Sequence, residues 1–195
     1  MLIEDEQAME RLDSVGKPLL GSDIRVIRPG GTPDEQLPSG EEGEVLIRGA
    51  SVTSQAWDQP EISRQRMTGP WWRSGDLGLI DAQGYLYLRG RVDDMIISGG
   101  INILPNEIEE ILLSHAAVAE CAVTGVPDER WGQRVVAFIV AREPVTPEQL
   151  VRHLEASGLS NYKHPREYRF VDGLPRGNTG KVARRQLLNV PPTQT

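Results

Sequence analysis

Hydrophobic and polar residues alternate through SDIRVI at 22–27 and again through GEVLIRG at 43–49, where Val45 and Ile47 fall on one face. A period of two predicts strands in both places. Between them lies PGGTPDEQLPSGEEG (29–43), a turn-rich loop, and ISRQRM (62–67) predicts a short helical turn. The stretch LGLIDAQGYLYLRG (77–90) predicts a hairpin of LGLI, a turn over Asp81 to Gly84, and YLYL. After Gly90 the pattern changes. Met95 to Ser98 is strand-like and runs into Gly99-Gly100. Pro105 opens a helix through NEIEEILLSH, with Ile108, Ile111 and Leu112 on one face and Glu107, Glu109 and Glu110 in its first turn. The runs VAECAVTGV (118–126) and RVVAFIVA (134–141) predict buried strands. Thr146 caps a helix over PEQLVRHLEASG that Gly158 ends, EYRFVD (167–172) predicts a strand, and ARRQLLN (183–189) a last helical turn or two. The fold class is therefore α+β: a β-rich piece over 1–90 and a compact α+β module over 91–190. Residues 1–15 form a surface segment entering a fold already under way, and 191–195 a disordered tail.

Composition adds little to that division: of 195 residues, 38% are hydrophobic and 25% charged, as in ordinary soluble domains. No run of about 18 apolar residues is present, so no membrane span is expected. The start, MLIEDEQAMERLDS, has no apolar core of a secretory signal. The single cysteine, Cys121, sits in a strand-like run, reads as a core thiol, and fits a reducing cytoplasm. His115, His153 and His164 are too scattered to predict a metal site.

Charge changes the picture more. Residues 1–90 hold 9 basic against 15 acidic side chains, whereas 160–185 hold seven basic residues against Glu167 and Asp172. That basic run suggests an anionic partner such as phosphate, against the commoner alternative of a solvated face. Nucleic acid is disfavoured by the acidic whole and the scarcity of interleaved aromatics.

Three segments carry candidate chemistry. In Ser74-Gly75-Asp76-Leu77-Gly78 a turn carboxylate, with Arg73 as its only local basic neighbour, suits a ribose diol; alternatively it only shapes a turn. In Gly90-Arg91-Val92-Asp93-Asp94 followed by Ile96-Ile97-Ser98-Gly99-Gly100, Arg91 can fork onto phosphate or ribose and the glycine pair admits a thin ligand. The alternative is a β-bulge with solvated charges. In Leu174-Pro175-Arg176-Gly177-Asn178-Thr179-Gly180-Lys181 a glycine-rich loop ends in lysine; Val182 follows, so it is not a nucleotide P-loop, and alone it reads as a surface loop.

Taken together, SGDLG, GRVDDMIISGGINILPNEIE and LPRGNTGK resemble, in order and spacing, the carboxyl-terminal motifs of the adenylate-forming superfamily. That superfamily contains acyl- and aryl-CoA synthetases, peptide-synthetase adenylation domains and beetle luciferases. The resemblance runs from VGKPLLGSDIRVI at 15–27 to KVARRQLL at 181–188, and ISGGINILPNEIE and VTGVPDERWGQRVVAFIV are most similar to the 4-chlorobenzoate, benzoate and fatty-acyl CoA ligases. It implies a β-barrel piece of a large domain followed by a mobile lid domain. It also implies two half-reactions, in which a carboxylic acid and ATP give acyl-AMP and then CoA displaces AMP. It assigns Asp76 and Arg91 to the nucleotide, Lys181 to the carboxylate and phosphate during adenylation, and Asp93 to the hinge. Ser98, Gly99, Gly100, Trp131, Lys163 and Arg166 are assigned to CoA. For Trp131 a core-packing role is an equal alternative; Trp71 and Trp72 read as packing, and Glu107 and Glu109 as a helix start. The superfamily's glycine-, serine- and threonine-rich phosphate loop and its Tyr-Gly-x-Thr-Glu string are absent from these residues. Magnesium, adenine and the acyl pocket are accordingly expected of an N-terminal portion, and the chain alone is expected not to make acyl-AMP. Two other readings share these motifs: part of an adenylation domain that loads a carrier protein, and a non-catalytic CoA- or AMP-binding domain.

Overall fold

The computed structural model describes residues 11–193, and the chain divides between Asp93 and Asp94 into two compact units. The first is built on an antiparallel sheet of β1 (Ser22–Ile27), β2 (Gly43–Gly49), β3 (Met67–Thr68), β4 (Trp71–Ile80) and β5 (Leu86–Arg91). β4 is central, with β2 on one side and β3 and β5 on the other. The alternation of β1 and β2 sends Ile24, Val26, Val45 and Ile47 to one face, where they pack with Leu37, Ile80 and Leu86. Ile27 and Leu46 take the other face with Trp71. The Trp71 ring is also covered by the guanidinium groups of Arg25 and Arg48, 4.7 and 4.6 Å from its centroid. Trp71 is thus a packing residue. The short helix α1 spans Pro60–Arg66.

Gly43 and Gly78 face each other across β2 and β4. A Cβ on Gly43 would lie 2.1 Å from the Ile27 carbonyl oxygen, a backbone atom that cannot swing aside. Gly43→Ala should therefore destabilise the first unit by about 1–3 kcal/mol in urea denaturation. Gly173→Ala, where nothing lies within 4 Å, should change little and serves as the control.

The second unit is α+β. Its sheet contains β6 (Ile96–Ser98), β7 (Ile101–Ile103), β8 (Val118–Asp128), β9 (Gly132–Ala141) and β10 (Glu167–Phe170), with helices α2 (Pro105–Leu113) and α3 (Pro147–Ala156). β9 is central: it pairs antiparallel with β8 along its whole length, parallel with β10, and with β6 only at Ser98–Gly132. Both faces of the β8–β9 ribbon are buried, which explains its unbroken apolar runs. Cys121, Val123, Val135, Ala137 and Ile139 meet Ile108, Leu112, Leu150 and Leu154 of the two helices. Ala122, Val136 and Phe138 on the other face meet Val171, Leu174 and Leu187. α3 begins with a capping box, the Thr146 hydroxyl accepting from the Gln149 N–H while the Gln149 side chain accepts from the Thr146 N–H.

Three details differ from the sequence reading. Residues 101–103, given no element, form β7 because Gly99 (φ +58°) and Gly100 (φ +79°) make a two-residue hairpin turn whose two centres both need positive φ. The segment Arg184–Asn189 is a 3-10 helix. In the stretch read as a disordered tail, Thr193 donates its N–H to the Phe170 carbonyl at 2.8 Å and its hydroxyl to Asp172 at 3.0 Å. Residues 1–10 and 194–195, which hold most of the expected surface segment and the end of the expected tail, lie outside the described residues.

Candidate functional site

Three groups of residues organise the candidate chemistry, one in the first unit and two in the second.

In the first unit β4 and β5 bring Asp76 opposite Arg91. Arg91 Nη1 donates to Asp76 Oδ1 at 2.6 Å and to the Ser74 carbonyl at 3.3 Å, while the Asp76 N–H donates to Ser74 Oγ at 2.9 Å. Arg73, the basic neighbour suggested by sequence, is instead committed to Glu44, to the Gly31 carbonyl and to Thr68 Oγ1. The local sequence partner of Asp76 is thus corrected to Arg91, which faces it across β4 and β5, whereas Arg73, an odd number of residues away on the same strand, leaves on the opposite face. Gly75 (φ +76°) lies against Arg66: a Cβ there would sit 2.2 Å from Arg66 Nη1. Arg66 in turn bonds Asp93 Oδ2 at 2.9 Å, so the Asp76–Arg91 pair and the last residue of the unit share one polar cluster.

At one end of the β8–β9 ribbon stand Ser98, Gly99, Gly100 and Trp131. The Gly99 N–H donates to the Trp131 carbonyl at 2.8 Å, and a Cβ on Gly99 would lie 3.0 Å from the Trp131 ring. Trp131 is 37% exposed, too much for a core residue, and Asp128 Oδ1 holds its N–H at 3.0 Å. Two guanidinium groups lie over the ring, Arg130 at 4.8 Å and Arg166 at 5.6 Å from the centroid. An aromatic plate flanked by two cations and a side-chain-free backbone edge is suited to a nucleobase and phosphate. Lys163 is different: its ammonium is held by both oxygens of Glu107, at 2.8 and 2.6 Å, so its charge is already met within the fold. Sequence missed Arg130, whose adjacency to Trp131 was the available signal, and gave Glu107 only a helix-start role.

Lys181 stands at the other end. Its loop is closed by an Arg176–Val182 bridge and by the Gly177 N–H donating to the Lys181 carbonyl at 2.8 Å. Arg176 bonds Glu120 at 2.5 Å, and Glu120 pairs with Val140, whereas Ser98 pairs with Gly132 at the far end of β9. Asp128 lies eight positions beyond Glu120 on β8, about 26 Å at a strand rise of about 3.3 Å per residue. Lys181 and the Gly99–Gly100 turn are both exposed, at opposite ends of one ribbon. No ion pair engages Lys181 among the described residues.

Behind the lysine loop, Arg184 is mostly buried. It donates to Glu109 Oε2 at 2.9 Å, Asn106 Oδ1 at 3.2 Å, Asp94 Oδ2 at 3.1 Å and the Val123 carbonyl at 3.0 Å. Burial pulls its pKa down, but the bonds and charges of Glu109 and Asp94 outweigh burial and hold it above the ordinary value. Glu109 also accepts the Val123 N–H at 2.6 Å, so the pair satisfies both backbone groups of Val123. Burial, then the Glu109 charge, pushes the nearby Cys121 thiol well up, as befits a core thiol. The basic run of 160–185 is therefore not one patch. Lys163, Arg169, Arg176 and Arg184 each have a carboxylate partner, which leaves Arg166, Lys181 and Arg185 without one among the described residues.

Among the described residues no group of three or more His, Cys, Asp or Glu side chains converges as a metal site, and no helix is long and apolar enough to cross a membrane. A surface cleft of about 700 Å³ at Gln55–Arg64 contains none of the candidate residues.

Residues 107–181 match the AMP-binding enzyme C-terminal domain. The chain is 42% identical over 186 residues to a sulfoacetate–CoA ligase of Cupriavidus necator, covering 94% of this chain and 36% of that protein. It is 40% identical over 179 residues to a 2-succinylbenzoate–CoA ligase of Bacillus cereus, covering 92% and 36%. The o-succinylbenzoate CoA synthetase of Bacillus subtilis, solved with its acyl-adenylate intermediate, superposes with a TM-score of 0.87 at 36% identity, covering 97% of this chain and 38% of that one. The chain belongs to the adenylate-forming superfamily. Within it the chain corresponds to the C-terminal portion of acyl- and aryl-CoA ligases and spans little more than a third of these relatives' length. In this member of the superfamily, the residues matched to the AMP-binding enzyme C-terminal domain run from Glu107, the partner of Lys163, to Lys181 itself.

Proposed function

We propose that this chain serves an acyl- or aryl-CoA ligase as the part that closes on the adenylate and then admits CoA. The observation that carries the reading is the placement of an exposed lysine and an exposed glycine turn at opposite ends of one rigid ribbon. A unit built this way can offer one end in each half-reaction by turning about Asp93, where the two units meet in sequence.

In the first half-reaction the acid's carboxylate attacks the α-phosphorus of ATP and pyrophosphate leaves. The Lys181 ammonium offsets the repulsion between the two anions and stabilises charge gathering on phosphate. Asp76, oriented by Arg91, accepts hydrogen bonds from the ribose diol, and Arg91 adds positive charge beside the nucleotide. In the second half-reaction the CoA thiol attacks the acyl carbon and AMP departs. The Ser98–Gly100 edge lets pantetheine pass close to backbone, while Trp131 takes the CoA base and Arg166 and Arg130 its phosphates. Lys163, neutralised by Glu107, contributes less than sequence implied. The cation-flanked Trp131 favours free CoA over a carrier-protein acceptor. The buried, unpaired Cys121 fits a cytoplasmic setting.

Joined to the N-terminal portion of a 2-succinylbenzoate–CoA ligase, the chain should restore acid-dependent pyrophosphate exchange and CoA-dependent AMP release; alone, it should catalyse neither. Turnover by the isolated chain contradicts the reading, as does a folded fusion that binds neither AMP nor CoA. Faster transfer to holo-carrier protein than to CoA would replace the proposed acceptor.

A further inference from the structure

Lys181 ends an exposed loop, Arg176 to Lys181, that contains two glycines and no buried side chain. Such a segment samples many conformations unless something outside it holds it. Arg176 supplies that hold. Its Nη1 donates to the Gly180 carbonyl at 2.9 Å and its Nη2 to Glu120 Oε2 at 2.5 Å. The residue before Lys181 is thereby tied to β8, a strand paired along its whole length with β9. Within the loop the Gly180 N–H donates to the Gly177 carbonyl at 2.9 Å, with Gly180 at φ +77°.

We propose that Arg176 is a positioning residue for Lys181, its planar fork spanning Glu120 and the Gly180 carbonyl so that the ammonium is presented in one place. The proposal rests on the ligase reading above and deepens it. A lysine must meet both phosphate and carboxylate, and a displacement of the order of 1 Å at such a group costs rate steeply, whereas the CoA step uses the opposite end of the ribbon. Both partners are about half exposed, at 49% and 40% of their side chains, so the pair adds little to global stability. Arginine is needed because lysine can meet one partner but not both.

The test uses the fusion described above and the chain itself. In the fusion, Arg176→Ala and Glu120→Gln should slow acyl-AMP formation by about 10-fold or more, while thioesterification of supplied acyl-AMP stays unchanged. Arg176→Lys should recover part of the loss. In the chain itself, Arg176→Ala should speed amide hydrogen exchange across residues 177–181 without moving exchange in β8 or β9. A wild-type fusion that folds but never makes acyl-AMP defeats the ligase reading. An active wild-type fusion whose Arg176→Ala variant keeps full adenylation, or loses both half-reactions alike, overturns only the proposal, as does unchanged exchange in the loop.

Discussion

Lys181→Ala, in the chain fused to a ligase N-terminal portion, is expected to lower acyl-AMP formation by about 10²–10³-fold, the range seen when one preorganised electrostatic group is removed from a transition state. The reason lies in charge. Two anions meet in this step, and Lys181 is an exposed cation without an ion-pair partner among the described residues. Two neighbouring cations are already occupied: Arg176 is tied to Glu120, and Arg184 is held by Glu109 and Asp94. The second half-reaction, started from supplied acyl-AMP and CoA, should stay within about twofold of the parent, because a group that acts in one transition state leaves the other barrier alone. Lys181→Arg should recover only part of the loss, since a wide planar guanidinium cannot replace a compact ammonium between two oxyanions. Pyrophosphate exchange reads the first step and AMP release the second. An equal fall in both steps would remove Lys181 from its proposed role and return it to the surface.

Much of this arrangement was legible in the sequence, for identifiable reasons. The α+β class was readable because the strand-like runs and the two amphipathic helices that begin at Pro105 and Pro147 differ in period. The ribbon of β8 and β9 was readable because burial on both faces demands unbroken apolar runs, and α3 because Thr146 marks its start and Gly158 its end; the part Gln149 plays in the capping box emerged only in the structure. What escaped depends on pairing across the fold. Asp76 was given Arg73 as its neighbour, yet its partner Arg91 lies 15 residues on and faces it only through the β4–β5 register. The basic run at 160–185 promised an anion, yet four of its seven cations are met by Glu107, Glu167, Glu120 and Glu109. A linear charge count cannot register those partners, since all but Glu167 lie more than 50 residues away. The same blindness hid β7, whose existence depends on two consecutive glycines acting as a hairpin turn rather than as a loop.

The buried pair Arg184–Glu109 is the second place where a single substitution should tell strongly, this time on stability. Glu109→Leu should cost the second unit about 3 kcal/mol, the low end for breaking a buried pair, because Asp94 alone is then left to neutralise the guanidinium. The side chains are only 18% and 13% exposed, so water offers little relief. Leucine also leaves the Val123 N–H without its acceptor, an unmet backbone group at the edge of β8. Arg184→Met alone should cost less than Glu109→Leu, since the remaining carboxylate can be protonated whereas a guanidinium cannot shed its charge. Combining the two should cost clearly less than their sum, with an interaction of about 1 kcal/mol or more, because the double variant buries no unpaired charge. Urea denaturation of the chain and its three variants measures each term, and strict additivity would show the pair to be independent contacts. The pair also sets a limit on function. Arg184 lies three residues beyond Lys181 and is bonded to Asp94, one residue beyond the proposed hinge. Loosening Arg184 therefore removes a second anchor, on the C-terminal side of Lys181, and a Glu109 variant that still folds should lose adenylation through position rather than through chemistry.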